Sequence, residues 1–232
     1  MKSPGDRPID MRPFLADNPG PPVLKLDRLN GLSDGVIAIV LTLLVFGLDI
    51  PEHHDFSTEG LISFLAKIEY QATVYAISFA LIGNYWIQHN VMFHFFRYSS
   101  RGLTWLNLLF LFELTLLPFT TKLIGTYRNE PLPIVVYGAV HIACGCTLGY
   151  LWWYANRSAP IVWPRIEPSV ARSMLRRILA GPVVSLLAIG AAFINVRLAH
   201  VVFLTMPVLQ FSHRTVDTHW PQVVEHGNSG PG

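Results

Sequence analysis

Residues 28–46 read RLNGLSDGVIAIVLTLLVF. A polar opening that ends on Ser33 and Asp34 runs directly into an almost wholly apolar stretch. With its neighbours this stretch covers roughly residues 31–50, within the 17–25 residues, about, that a membrane-crossing helix needs. A carboxylate at the start of such a span is unusual. At the bilayer centre it costs about 2.5–3.5 kcal/mol even on the lenient insertion scale. Nearer the interface the cost falls, but Asp34 still needs a partner. Five further apolar runs follow. YAISFALIGNYWIQHNVMF marks a second span over roughly 68–93, and LTWLNLLFLFELTLLPFTTKLI a third over roughly 103–124. PIVVYGAVHIACGCTLGYLWWYA and ILAGPVVSLLAIGAAFINV mark a fourth and a fifth, over roughly 132–155 and 178–196. HVVFLTMPVLQFS, over roughly 198–213, is shorter and interrupted by Pro207. The pattern predicts an all-α, polytopic membrane protein of six transmembrane helices per subunit.

Composition agrees. Of 232 residues, 51% are hydrophobic and only 14% charged, where a soluble domain carries about a quarter charged. A mean hydropathy of +0.39 likewise makes lipid the main solvent. A net charge of +2 is too small for a nucleic-acid partner. The two cysteines, Cys144 and Cys146, lie in an apolar run and form no disulfide framework. Residues 1–27 read as a flexible, proline-rich tail without the apolar core of a signal peptide. Residues 28–213 form the membrane domain and 214–232 a C-terminal tail.

Lys and Arg set the orientation. With six spans, one side receives Lys2, Arg7, Arg12, Lys25, Arg28, Arg97, Arg101, Arg157, Arg165, Arg172, Arg176, Arg177 and Arg214. The other receives Lys67, Lys122, Arg128 and Arg197. This asymmetry places both termini in the cytoplasm and supports an even number of spans; the expected location is the cell (inner) membrane. The outer segment DIPEHHDFSTEG is acidic. It reads as a cation-concentrating mouth or as an ordinary solvated loop.

The first helix carries the chemistry. Arg28 is six residues before Asp34, about 240° around a helix, so the two share no face. Partners for Asp34 then come from other helices: Trp86 and His89, spaced to share one face of the second span, and Asn107 in the third. Together they make either a polar clamp or, in the plainer view, an N-cap at a helix start. Farther along, Ile39, Leu43 and Phe46 form one stripe with Thr42 beside it. Copies of that stripe around an axis would stack as apolar rings that gate by dewetting, with a hydroxyl ring at Thr42. By spacing alone the stripe is equally a lipid-facing or packed surface.

At these residues the chain resembles the transmembrane protein 175 family of endosomal and lysosomal potassium channels and their bacterial relatives. The family's Arg-x-x-x-Phe-Ser-Asp signature is matched by Arg28, Leu32, Ser33 and Asp34. SFALIGNYWIQH resembles its second helix and LNLLFLFELTLLPF its third. The resemblance implies a bacterial single-repeat subunit that assembles as a homotetramer around the first helix and conducts potassium passively. It implies a constriction at Ile39, Leu43 and Phe46, an influence of Thr42 on selectivity, and an interhelical network of Arg28, Ser33, Asp34, Trp86, His89 and Asn107. Two departures are visible. Leu32 stands where the signature has Phe, which bears on the clamp's packing, and Phe46 stands where an aliphatic side chain is typical.

Remaining candidates are fewer. Glu113, roughly 15 Å into its span, is a cation or proton site by default, or else a neutral or hydrogen-bonded side chain. With Asp34 and His89 it would serve the alternative function, a proton-coupled secondary transporter, although no internal repeat or pair of broken helices is legible. His141 and Cys144 share a face, but Cys144 and Cys146 lie about 200° apart and cannot chelate one ion within the helix. His53 and His54, in the outer loop, could meet a metal between subunits but read more simply as exposed loop histidines. Trp152, Trp153 and Tyr154 fit an interfacial belt. Arg172, Arg176 and Arg177 suit anionic headgroups of the surrounding lipids. No nucleophile–base constellation, phosphate-binding glycine loop, metalloprotease motif or voltage-sensor ladder appears. No enzyme, catalytic residue, metal or cofactor is therefore expected, the permeant ion being potassium.

Overall fold

The computed structural model describes residues 25–48, 57–157 and 168–211. Among these residues the regular elements are seven α-helices: α1 Leu26–Leu43, tightening into a 3-10 turn over Leu44–Gly47; α2 Thr58–His94; α3 Arg101–Thr115; α4 Leu117–Thr126; α5 Pro131–Arg157; α6 Pro168–Ala192; and α7 Val196–Phe211. Ser57 and Ser100 open α2 and α3. Their hydroxyls accept from the amides of Gly60 and Leu103 at 3.0 and 3.1 Å, satisfying donors that a helix start leaves orphaned. Pro131 and Pro168 begin α5 and α6, where a missing amide proton costs nothing.

Among the described residues, four stretches are long and apolar enough to cross a membrane: Leu26–Gly47, Arg101–Thr126, Pro131–Arg157 and Pro168–Ala192. The second expected span lies inside α2, whose 37 residues extend about 56 Å. The sixth lies on α7, whose apolar part, Val196–Thr205, is shorter. The third span is two helices. Pro118 stands in the first turn of α4 and has no amide to continue the α3 ladder. Leu116 keeps helical angles, φ −80° and ψ −18°, so the break is a kink. The helix start at Leu26, with Lys25 as cap, puts Asp34 about two turns inside α1. The N-cap alternative for Asp34 is thereby overturned.

Side-chain pairs fix the ends of the bundle. Asn107 in α3 bonds Ser33 in α1 and His89 in α2, and Tyr154 in α5 approaches Ser100 beside α3. Trp152 near the end of α5 bonds the Ala171 carbonyl in α6, so the start of α1, the end of α2, the start of α3, the end of α5 and the start of α6 share one end. Tyr70 and His200 meet at the other. α1 packs on α2 and α3, α3 on α5, α5 on α6, α6 on α7, and α7 returns to α2.

Trp152 departs from the expected interfacial belt. It is 2% exposed, stacks near Phe96, and donates from Nε1 to the Ala171 carbonyl at 3.1 Å. Trp153 stays at the surface under Arg157, whose guanidinium carbon lies 5.1 Å from the ring centroid. The α5–α6 seam depends on small residues. A Cβ at Gly145 would come within 2.4 Å of the Pro182 ring, and one at Gly138 within 2.8 Å of Ile189. Gly145→Ala should lower subunit stability by about 1–3 kcal/mol through overpacking. Gly190→Ala, where a Cβ meets nothing within 4 Å, should be neutral or mildly stabilising. Thermal unfolding in detergent, followed by tryptophan fluorescence, separates the two; equal shifts would dismiss the close-approach account.

Candidate functional site

α1 packs into the subunit along one face. Leu29, Ser33, Ile37, Val40 and Leu44 are buried against α2, α3 and α4. Their spacing puts them on one side of the helix. The opposite side is open within the subunit: Ile39 is 59% and Phe46 73% exposed, with Leu43 and Thr42 exposed beside them. Gly31, Gly35 and Ala38 are exposed there too. The Thr42 hydroxyl donates to the Ile39 carbonyl at 2.8 Å, so its proton is used within the helix and its lone pairs remain available.

The buried face carries a directional chain of hydrogen bonds. His89 Nε2–H donates to Asn107 Oδ1 at 2.8 Å, Asn107 Nδ2–H donates to Ser33 Oγ at 2.9 Å, and Ser33 Oγ–H donates to the Leu29 carbonyl at 2.9 Å. Ser33, His89 and Asn107 are all buried. Three helices thus meet in groups that supply each other's missing partners. His89 is also sandwiched: its ring lies 4.0 Å from Phe93 and 5.8 Å from Phe110, both nearly parallel. Around the helix from Ser33, Asp34 Oδ1 accepts from Trp86 Nε1 at 2.8 Å. That bond ties α1 to α2 on the exposed side.

The structure does not draw in Arg28. Its side chain is exposed, and no side-chain bond to it is found among the described residues. Leu32, the departure from the signature, is 46% exposed. It lies seven residues before Ile39 on the open stripe, outside the clamp. Glu113 faces away from Asp34 and His89: its Oε1 accepts from Thr147 on α5 at 2.9 Å, while Oε2 is buried without a partner. The three residues of the transporter alternative therefore form no joined set. His141 and Cys144 are buried and Cys146 is exposed, and among the described residues no cluster could hold a metal ion. His53 and His54 lie outside the described residues.

A second polar cluster escaped the sequence. Thr121 donates to Ser78, Ser78 meets Tyr137, and Tyr85 donates to the His141 carbonyl, with the bonds at 3.0 Å. Ser78, Tyr85 and His89 recur at spacings of seven and four along α2, a signal visible in the letters once read as a buried polar seam.

A bundle with this apolar exterior and these spanning helices is a multi-pass membrane protein. Residues 28–118 match the family described as endosomal/lysosomal potassium channel TMEM175. A potassium channel of Streptomyces collinus is 30% identical over 172 residues, covering 72% of this chain and 82% of that protein. A potassium channel of Chamaesiphon minutus is 29% identical over 175 residues, covering 74% and 86%. The fold is similar to the crystal structure of a lysosomal potassium-selective channel TMEM175 homologue from Chamaesiphon minutus. The TM-score is 0.70 at 26% identity, over 80% of this chain and 95% of that one. The chain belongs to the TMEM175 family.

Asn107→Leu removes two bonds of the chain at once and strands buried polar groups, so it should cost about 2–4 kcal/mol of subunit stability. Asp34→Asn keeps an acceptor for Trp86 and should cost less than about 1 kcal/mol. Unfolding midpoints in detergent test the difference, and a larger loss for Asp34→Asn would reverse the assigned order.

Proposed function

We propose that the protein is a potassium-permeable channel that conducts passively through a central pore between copies of α1. Six spans per subunit, four subunits around the axis, and both termini in the cytoplasm of a bacterial inner membrane complete the reading. One observation carries it: α1 is fastened along one face and left open along the other. The open face is not uniformly greasy. Beside the bulky stripe of Ile39, Leu43 and Phe46 runs a small one of Gly31, Gly35, Ala38 and Thr42. A Cβ at Gly31 or Gly35 would meet nothing within 4 Å in the subunit, so packing within the subunit does not require glycine there. Small residues on a membrane helix let another backbone approach closely. A neighbouring subunit against the small stripe turns the bulky stripe toward the axis.

In that assembly Ile39, Leu43 and Phe46 stack as apolar rings over about 10 Å of path, at 1.5 Å of rise per residue. Water leaves a narrow apolar ring readily, and an ion crosses it only at the expense of its hydration. Thr42 offers four hydroxyl oxygens whose protons are already donated to Ile39 carbonyls, so lone pairs face the ion. Selectivity drawn from side chains on a helix is modest. Ser33, Asp34, Trp86, His89 and Asn107 hold each α1 at the rotation the rings need, and the exposed Arg28 lies at the inner mouth.

The test is potassium flux from liposomes under several imposed potentials. The protein should carry flux above empty liposomes, and Ile39→Asn, which wets the ring, should raise it about tenfold, as a barrier lowered by about 1.4 kcal/mol would. An absence of flux at every potential in both proteins would overturn the channel.

A further inference from the structure

The start of α6 carries charges that the path along α1 does not use. Ser169, Arg172, Leu175 and Arg176 line a groove of about 460 Å³. Their spacing places them on one side of the helix. Arg172 Nε–H donates to the Pro168 carbonyl at 3.0 Å. That bond anchors the guanidinium by one edge and leaves its two amino groups for another acceptor. Arg177 adds a third positive charge one residue on. The first turn of α6 holds no acidic residue; Glu167, just before it, lies outside the described residues.

The same side of α6 continues as an apolar strip. Leu179, Val183, Leu186 and Leu187 follow the arginines and are 38–63% exposed. Gly149 of α5 lies alongside, where a Cβ would be 3.7 Å from Leu175 and 3.5 Å from Leu179. The lack of a side chain there keeps the flank of α6 open. Along the helix the order is therefore a hydroxyl, two guanidiniums, then a greasy track into the bundle's apolar zone. This is the order of a phospholipid entered from its head. Guanidinium pairs phosphate through two parallel bonds, and the strip would be idle for a free phosphate. A zwitterionic headgroup would bring its own ammonium among the arginines, whereas an anionic glycerol headgroup such as that of phosphatidylglycerol brings none.

We propose that this face of α6 binds an anionic phospholipid, its phosphate held by Ser169, Arg172 and Arg176 and an acyl chain laid along Leu179, Val183 and Leu187. The binding does not depend on conduction, so it can stand or fall apart from the channel reading.

The experiment incubates the purified full-length protein with mixed micelles of equal phosphatidylglycerol and phosphatidylcholine and counts retained lipids by native mass spectrometry. The wild type should retain phosphatidylglycerol in roughly fivefold preference or more. Arg172→Gln/Arg176→Gln should bring retention to near parity. Ser169→Phe fills the groove without changing a charge and should lower the preference as well, which covers the case of a double variant that does not fold. Arg101→Gln removes a charge at the same end of the bundle and should leave the preference intact. Unchanged preference in both groove variants would overturn the site, as would an equal loss in Arg101→Gln, which would mean diffuse surface charge alone.

Discussion

The bond from Asn107 to the Ser33 hydroxyl constrains α1 more tightly than any apolar contact does. Apolar packing is tolerant of small rotations, because Leu, Ile and Val fill similar spaces in several ways. A buried amide between a hydroxyl and an imidazole is not. Rotating α1 by one residue, about 100°, would take Ser33 out of reach and leave Asn107 and His89 without partners, at about 1–3 kcal/mol for each orphaned group. The aromatic sandwich around His89 fixes the second end of the relay, since the ring cannot turn without leaving Phe93 and Phe110. In a lipid solvent, where apolar surfaces gain little from meeting one another, such polar contacts take a larger share of helix positioning.

A fixed rotation matters because the two sides of α1 differ so much. One side fills the subunit's core through Leu29, Ile37, Val40 and Leu44. The other presents bulky apolar side chains beside glycines that nothing in the subunit requires. The Asp34–Trp86 bond is the exception that faces outward, at the border between the two sides. On the channel reading, the same relay that satisfies the core also sets which side chains narrow the path. A substitution at Asn107 would then change conduction without touching the pore lining.

Much of this was legible in the letters, for physical reasons. Long apolar runs show directly, so the spanning stretches at Leu26–Gly47 and Pro131–Arg157 follow from hydropathy, whereas α6 begins at Pro168, ten residues before the expected fifth span, because its first turns carry Arg172, Arg176 and Arg177. Polar residues inside such runs are costly enough to be informative, which is why Ser33, Asp34, Trp86, His89 and Asn107 stood out. Periodicity cannot supply the rest. The third apolar run reads as one continuous span, and its kink before Pro118 depends on how Leu116 sits. Trp152 and Trp153 are adjacent and chemically alike, yet α5 turns one into the core and the other outward. Leu32 reads as part of the signature, but its side chain leaves the clamp and joins the open stripe. Glu113 looked like a companion of Asp34 and His89, and the turn of α3 instead gives it to Thr147. The Thr121–Ser78–Tyr137 and Tyr85–His141 contacts join residues from three helices, and no single helix displays them.

The most direct measurement is cysteine accessibility along α1 in assembled protein, after replacement of Cys144 and Cys146 by alanine. Single cysteines at Ile39, Thr42 and Phe46 should react with a water-soluble, membrane-impermeant thiol reagent, while cysteines at Ile37, Val40 and Leu44 should not. Equal protection at all six positions would put the open face in lipid and contradict a water path along α1.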